Sequence, residues 1–170
     1  MTPTATEAPL DVEAIARDEI AALDALGYPT ELATWEFLDD YTNSAGGTAT
    51  TNGDLEGHSV VRMSTDPDVY TQFSVEPEEA VRSTVRHEFG HALTYWLYPD
   101  GAEYPLSKIC LSVSTSSLKE QAPAGECAAE AANIMLSEQR GGPRVSFYGL
   151  NVSQASLDAM RPIVEGSLTW

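Results

Sequence analysis

Val85-Arg86-His87-Glu88-Phe89-Gly90-His91-Ala92-Leu93 is the stretch around which the chain is organised. It reads H-E-x-x-H inside a run of helix-forming and apolar residues. On an α-helix, residues four apart share a face, one turn above the other. His87 and His91 can therefore aim both imidazoles at a single cation. Glu88 sits about 100° around the helix from His87. That places it beside such a cation rather than on it, where a general base takes a proton from a bound water. The helix divides into two faces. Val81, Val85, Phe89, Ala92 and Trp96 make an apolar stripe, and Ala80, Thr84, His87, His91 and Tyr95 make the opposite one. The pattern predicts a helix with its back in a core and its histidines turned into a cleft. A solvated surface helix can carry the same five residues, but the chain has three histidines in all and two are here.

A hydrolytic zinc centre takes three protein ligands and keeps one position for water. A third histidine six residues after His91 would fall on Leu97, and the remaining histidine, His58, lies upstream in a predicted strand. A downstream carboxylate is the better source. Gly125-Glu126-Cys127-Ala128-Ala129-Glu130-Ala131-Ala132-Asn133 is alanine-rich and favours helix. Gly141-Gly142-Pro143 would stop it. Glu126, Glu130, Asn133 and Ser137 share one face of that helix, and Ala128, Ala129 and Ala132 would let it approach a neighbour closely. Spacing leaves Glu126, Glu130 and, more remotely, Glu120 open as the third ligand. Two solvated glutamates near a helix N-terminus are the plainer alternative, favoured there by the helix dipole.

H-E-F-G-H followed some tens of residues later by E-x-x-x-E opening an alanine-rich helix resembles the gluzincin zinc metallopeptidases. These include the thermolysin-like enzymes and the catalytic domain of anthrax lethal factor. The resemblance covers roughly residues 76–142, and only these motifs are specific. It implies a zincin-like α+β domain: a small mixed sheet packed on the active-site helix, with a second helix supplying the third ligand. It implies Zn2+ held by His87, His91 and Glu126, with Glu88 as general base. Glu130 would orient a ligand histidine through its other ring nitrogen. The implied activity is hydrolysis of peptide bonds in a peptide or protein substrate. The oxyanion donor is unassigned among Tyr95, Tyr98, Tyr104 and Tyr148, each of which can equally be a packing residue. Rival readings are a structural or binding module on the same fold within a larger assembly, an enzyme held latent by the N-terminal segment or residues 102–125, and hydrolysis of a non-peptide amide.

The totals agree with one domain. At 170 residues with 42% hydrophobic residues, the chain can bury a core without staples. A formal charge of −17 excludes nucleic acid as a partner and would attract a basic peptide. It can also simply serve solubility or adaptation to salt. No apolar run reaches the roughly 18 residues of a membrane helix, so no membrane partner is expected, and the domain is expected to act as a monomer. Cys110 and Cys127 form no C-x-x-C pair. They are read either as a disulfide tethering the third-ligand helix or as two buried thiols. Residues 1–9, Met1-Thr2-Pro3-Thr4-Ala5-Thr6-Glu7-Ala8-Pro9, have no basic region or apolar core. They read as a disordered lead-in to the domain at 10–170 and not as a signal peptide; the compartment stays open.

Working outward, Asp11 should cap a helix to about Leu26, with Val12, Ile15, Ala16, Ile20, Leu23 and Leu26 as its buried stripe and Gly27 and Pro29 ending it. Residues 33–38 and 58–64 read as strands. Residues 39–57 read as loop, with a turn at Asn52-Gly53. Asp66-Pro67-Asp68 reads as a turn, and residues 69–74 as an extended segment where related peptidases would align substrate backbone. Pro77 should open the active helix and Tyr98 close it. Residues 102–125 are a long connection shaping one wall of the cleft. Residues 145–150 read as extended, and 153–168 as an amphipathic helix interrupted by Pro162.

Overall fold

The computed structural model describes residues 9–41, 46–51, 58–98, 124–146 and 152–169. Helix α1 (Val12–Ala25) starts where Asp11 Oδ1 accepts the Ala14 N–H at 3.0 Å, the expected N-cap. It stops at Gly27, whose φ of +89° suits a residue without Cβ. The expected apolar stripe needs correction. Val12, Ala16 and Leu23 are buried, Ile15 and Ile20 only partly, and Leu26 is 45% exposed. Glu19 is fully buried on that stripe instead. Arg82, Arg86 and Arg140 meet its carboxylate at 3.2–3.4 Å, which offsets the cost of desolvating it.

A 3-10 turn (Thr30–Leu32) leads into a three-stranded mixed sheet ordered β1 (Ala33–Leu38), β3 (Ser59–Ser64), β2 (Gly47–Thr51). Central β3 runs parallel to β1, with Trp35 beside Val61, and antiparallel to β2, with Gly47 beside Met63. Val61 and Met63 enter one apolar cluster with Val81, Val85 and Phe89. Residues 39–57 were expected as loop, but 47–51 form one of the two edge strands. Its threonines are β-branched, and a polar strand without apolar alternation gives no periodic signal.

The extended segment expected at 69–74 is also corrected. Helix α2 (Pro67–Thr71) occupies its first part, because Asp66 accepts the Asp68 N–H and Pro67 sits at the first helical position. Helix α3 (Pro77–Leu97) runs as expected from Pro77. It is not two-faced, however: every residue from Ser83 to Thr94 is buried. The face expected to look into a cleft is covered by β2 and by α4 (Ala124–Gln139). Gly90 allows this. A Cβ there would stand 2.9 Å from both Ala129 Cα and Ala132 Cβ.

Helix α4 ends as expected at Gly141, with φ +71° and the Gly142 N–H on the Ser137 carbonyl at 2.8 Å. Helix α5 (Gln154–Gly166), capped by Ser153, continues through Pro162 rather than breaking there. Its buried Leu157, Met160 and Val164 hold it to the core despite the missing N–H. Val145 and Ser146 have no regular structure. The molecule is thus an α+β fold of five helices and a small mixed sheet among the described residues. None of these helices is long and apolar enough to cross a membrane. Residues 1–8, Asn52-Gly53, most of the 102–125 connection with Tyr104, Cys110 and Glu120, and Tyr148 lie outside the described residues.

Candidate metal centre

Helix α3 brings His87 and His91 into edge-to-face contact, ring centroids 4.9 Å apart, as four-residue spacing requires. Helix α4 runs antiparallel across them and supplies Glu126. One oxygen of that carboxylate, Oε2, stands 3.1 Å from His87 Nε2 and 3.3 Å from His91 Nε2. The three donor atoms lie within 4.8 Å of one another, the group among the described residues that could hold a metal. His58 is not in it. Donors around a tetrahedral cation at bond lengths of about 2.0–2.1 Å stand roughly 3.3 Å apart. Glu126 Oε2 stands at about that separation from each Nε2, and two imidazoles with a carboxylate are a donor set whose chemistry suits zinc. The histidines are 5% and 7% exposed, whereas the Glu126 side chain keeps 23%, so the centre opens to solvent on the Glu126 side.

Glu130 is fully buried one turn further along α4, its Oε1 3.6 Å from His87 Nδ1. That is ion-pair distance rather than a hydrogen bond, on the ring nitrogen that faces away from Glu126. Glu88 lies against β2. The Ala49 N–H donates to its carboxylate, and a Cβ on Gly47 would touch its Cγ at 3.0 Å. Its Oε2 is buried and has no hydrogen-bond partner among the described residues.

Charge couples these groups. Burial pushes the His87 imidazole toward neutrality, but Glu126, Glu130 and Glu88 outweigh it and hold its pKa up at about 10. Burial favours the neutral form of Glu126 as well, by raising its pKa, and the two histidines overcome it, holding its carboxyl well below the usual range. For Glu88, burial dominates over the attraction of both histidines and raises its pKa.

Of the tyrosines considered as oxyanion donors, Tyr95 stacks on His91 with centroids 6.0 Å apart. Tyr98 packs against the core. Cys127, beside Glu126, is a buried free thiol. What the sequence did not reveal is the contribution of β2: Gly47 and Ala49 contact Glu88 from a strand hidden in a polar stretch. The signal available was the glycine pair Gly46-Gly47 followed by β-branched threonines. Also unforeseen was Tyr70, fully buried, whose hydroxyl donates to the Ser64 carbonyl at 2.8 Å and the Gly46 carbonyl at 3.1 Å. It pins the entry to β2. Compared with protein families, curated proteins and solved structures, the chain matches none of them.

Proposed function

We propose that the chain is a zinc-dependent metallopeptidase of the gluzincin type, a small zincin-like domain that hydrolyses peptide bonds. The observation that carries the reading is the convergence of His87 Nε2, His91 Nε2 and Glu126 Oε2 within 4.8 Å, with buried Glu88 beside them. His87, His91 and Glu126 would hold the ion, and Glu130 would keep the His87 ring turned toward it. Zinc, when bound, lowers the pKa of a water and polarises the carbonyl under attack. Glu88 takes the proton of the attacking water on Oε2 and delivers it to the leaving amide nitrogen. The wall of β2 and α4 around Glu88 excludes bulk water, so the carboxylate is not hydrated at the moment of transfer. β2 lies at the sheet edge against Glu88, a place from which an extended peptide can cross the centre.

A structural or binding module would have no use for a buried carboxylate oxygen without a hydrogen-bond partner beside the donor set. The test has two parts. Elemental analysis of the purified chain should find about one zinc per molecule in the wild type, with loss in Glu126→Ala and retention in Glu130→Ala. Hydrolysis of casein or a peptide library should fall by about 10²- to 10⁴-fold in Glu88→Gln while zinc stays bound. A wild type that takes up no zinc after reconstitution would end the peptidase reading. Zinc without hydrolysis would favour the module.

A further inference from the structure

A polar contact between α3 and α4 lies away from the metal donors and has no part in the reaction above. Arg86 is buried, although it precedes His87 in the chain. Its Nε donates to Asn133 Oδ1 at 3.3 Å, and Ser83 Oγ donates to the same oxygen at 3.3 Å. The other end of that amide, Asn133 Nδ2, donates to the Val145 carbonyl at 3.0 Å. Both ends of Asn133 are therefore used, which allows one orientation of the amide. The rest of the Arg86 guanidinium is held by Glu19 at 3.2 Å and by Glu79. Asn133 follows Glu126 on α4 by about two turns.

The apolar contact at Gly90 fixes how far apart the two helices are, but it is non-directional and leaves α4 free to slide along its axis. A slip of one residue moves a helix by about 1.5 Å. That would take Glu126 Oε2 out of its 3.1 and 3.3 Å positions between the histidines. A hydrogen bond between buried, otherwise fixed groups is directional and resists the slip. We propose that Arg86 and Asn133 are positioning residues, whose contact locks the axial register of α4 against α3 and so holds Glu126 on His87 and His91. This rests on the metal-centre reading above.

The test is a cobalt(II) titration of the metal-free full chain, read by visible absorption, which reports both affinity and the number of protein ligands. Arg86→Lys keeps a cation between Glu19 and Glu79 but has no Nε for Asn133. Asn133→Leu keeps the volume and removes the amide. Arg82→Gln is the control, since Arg82 also binds Glu19, at 3.3 Å, without touching Asn133. Arg86→Lys and Asn133→Leu should bind cobalt about 10- to 100-fold more weakly. Their spectra should shift toward that of Glu126→Ala, whereas Arg82→Gln should match the wild type. If Asn133→Leu does not fold, Arg86→Lys decides. Wild-type affinity and spectrum in Arg86→Lys would overturn the register lock and leave the metal centre standing. Equal weakening in Arg82→Gln would overturn it too, by assigning the effect to the charge network as a whole. A wild type with no cobalt band would overturn both.

Discussion

Two buried groups at residue scale flank the centre, Glu88 and Tyr70. Glu88 keeps a carboxylate in a place where burial disfavours charge, and two histidines on the same helix turn oppose that penalty. Among the described residues Tyr70 has no such partner. Burial, and then the nearby Glu88, raise its phenol above the ordinary value of 10. A raised pKa means that the folded chain keeps a proton the unfolded chain would lose. The corresponding stability is fully present below pH 10 and falls as the pH climbs past it. Wild-type stability should therefore decline above pH 10, and the slope should lessen in Tyr70→Phe. That variant should also be about 1–3 kcal/mol less stable at neutral pH, because the Ser64 carbonyl loses the hydroxyl donor and the Gly46 carbonyl keeps only the Ser64 N–H. Urea unfolding at pH 7 and across pH 9–11 measures both. An unchanged alkaline slope would remove Tyr70 from the account. His87, Glu88 and His91 were legible in the sequence because four-residue spacing places them without any knowledge of the fold. Tyr70 was not, since nothing local marks a tyrosine whose partners lie 6 and 24 residues upstream.

The decisive contact at the scale of elements is α3 on α4. Gly90 lets them approach until the position of a Cβ is already occupied by Ala129 and Ala132, each 2.9 Å away. Gly90→Ala should gain helix propensity, about 1 kcal/mol, and lose about 1–3 kcal/mol to overpacking. The helices must separate, so the affinity of the proposed zinc centre should fall even where the net stability change is small. Calorimetry should show a melting temperature unchanged or lower by a few degrees, with zinc dissociation faster than in the wild type. Wild-type zinc retention in this variant would mean that helix separation does not govern the centre. Helices α1, α3 and α4 were readable from caps, proline and glycine. The strand β2 was not, because five residues of Gly, Thr and Ala carry no amphipathic period, and the strand exists only by pairing with β3.

For the whole molecule, charge sets what approaches. With −17 formal charges on 170 residues, a cationic peptide is drawn in and an anionic one repelled. For the proposed peptidase, kcat/KM on lysine-flanked peptides should exceed that on glutamate-flanked ones at about 0.01 M salt. The gap should narrow at about 0.15 M, as the screening length falls from roughly 30 to 8 Å. Equal rates at low salt would refute the steering. The same charge balance governs the interior, where Glu19 sits among Arg82, Arg86 and Arg140 on a helix stripe that reads as apolar in sequence. By itself, the sequence determined helix α3, the shared placement of His87, Glu88 and His91 on it, and the glutamate-bearing helix that follows, because helical period and capping are local properties. The fold alone decided that Glu126 rather than Glu130 reaches both Nε2 atoms, that β2 walls Glu88, and that Asn133 locks onto Arg86. Each of these depends on the distance and register between elements far apart in the chain, which long-range packing sets and no local pattern encodes.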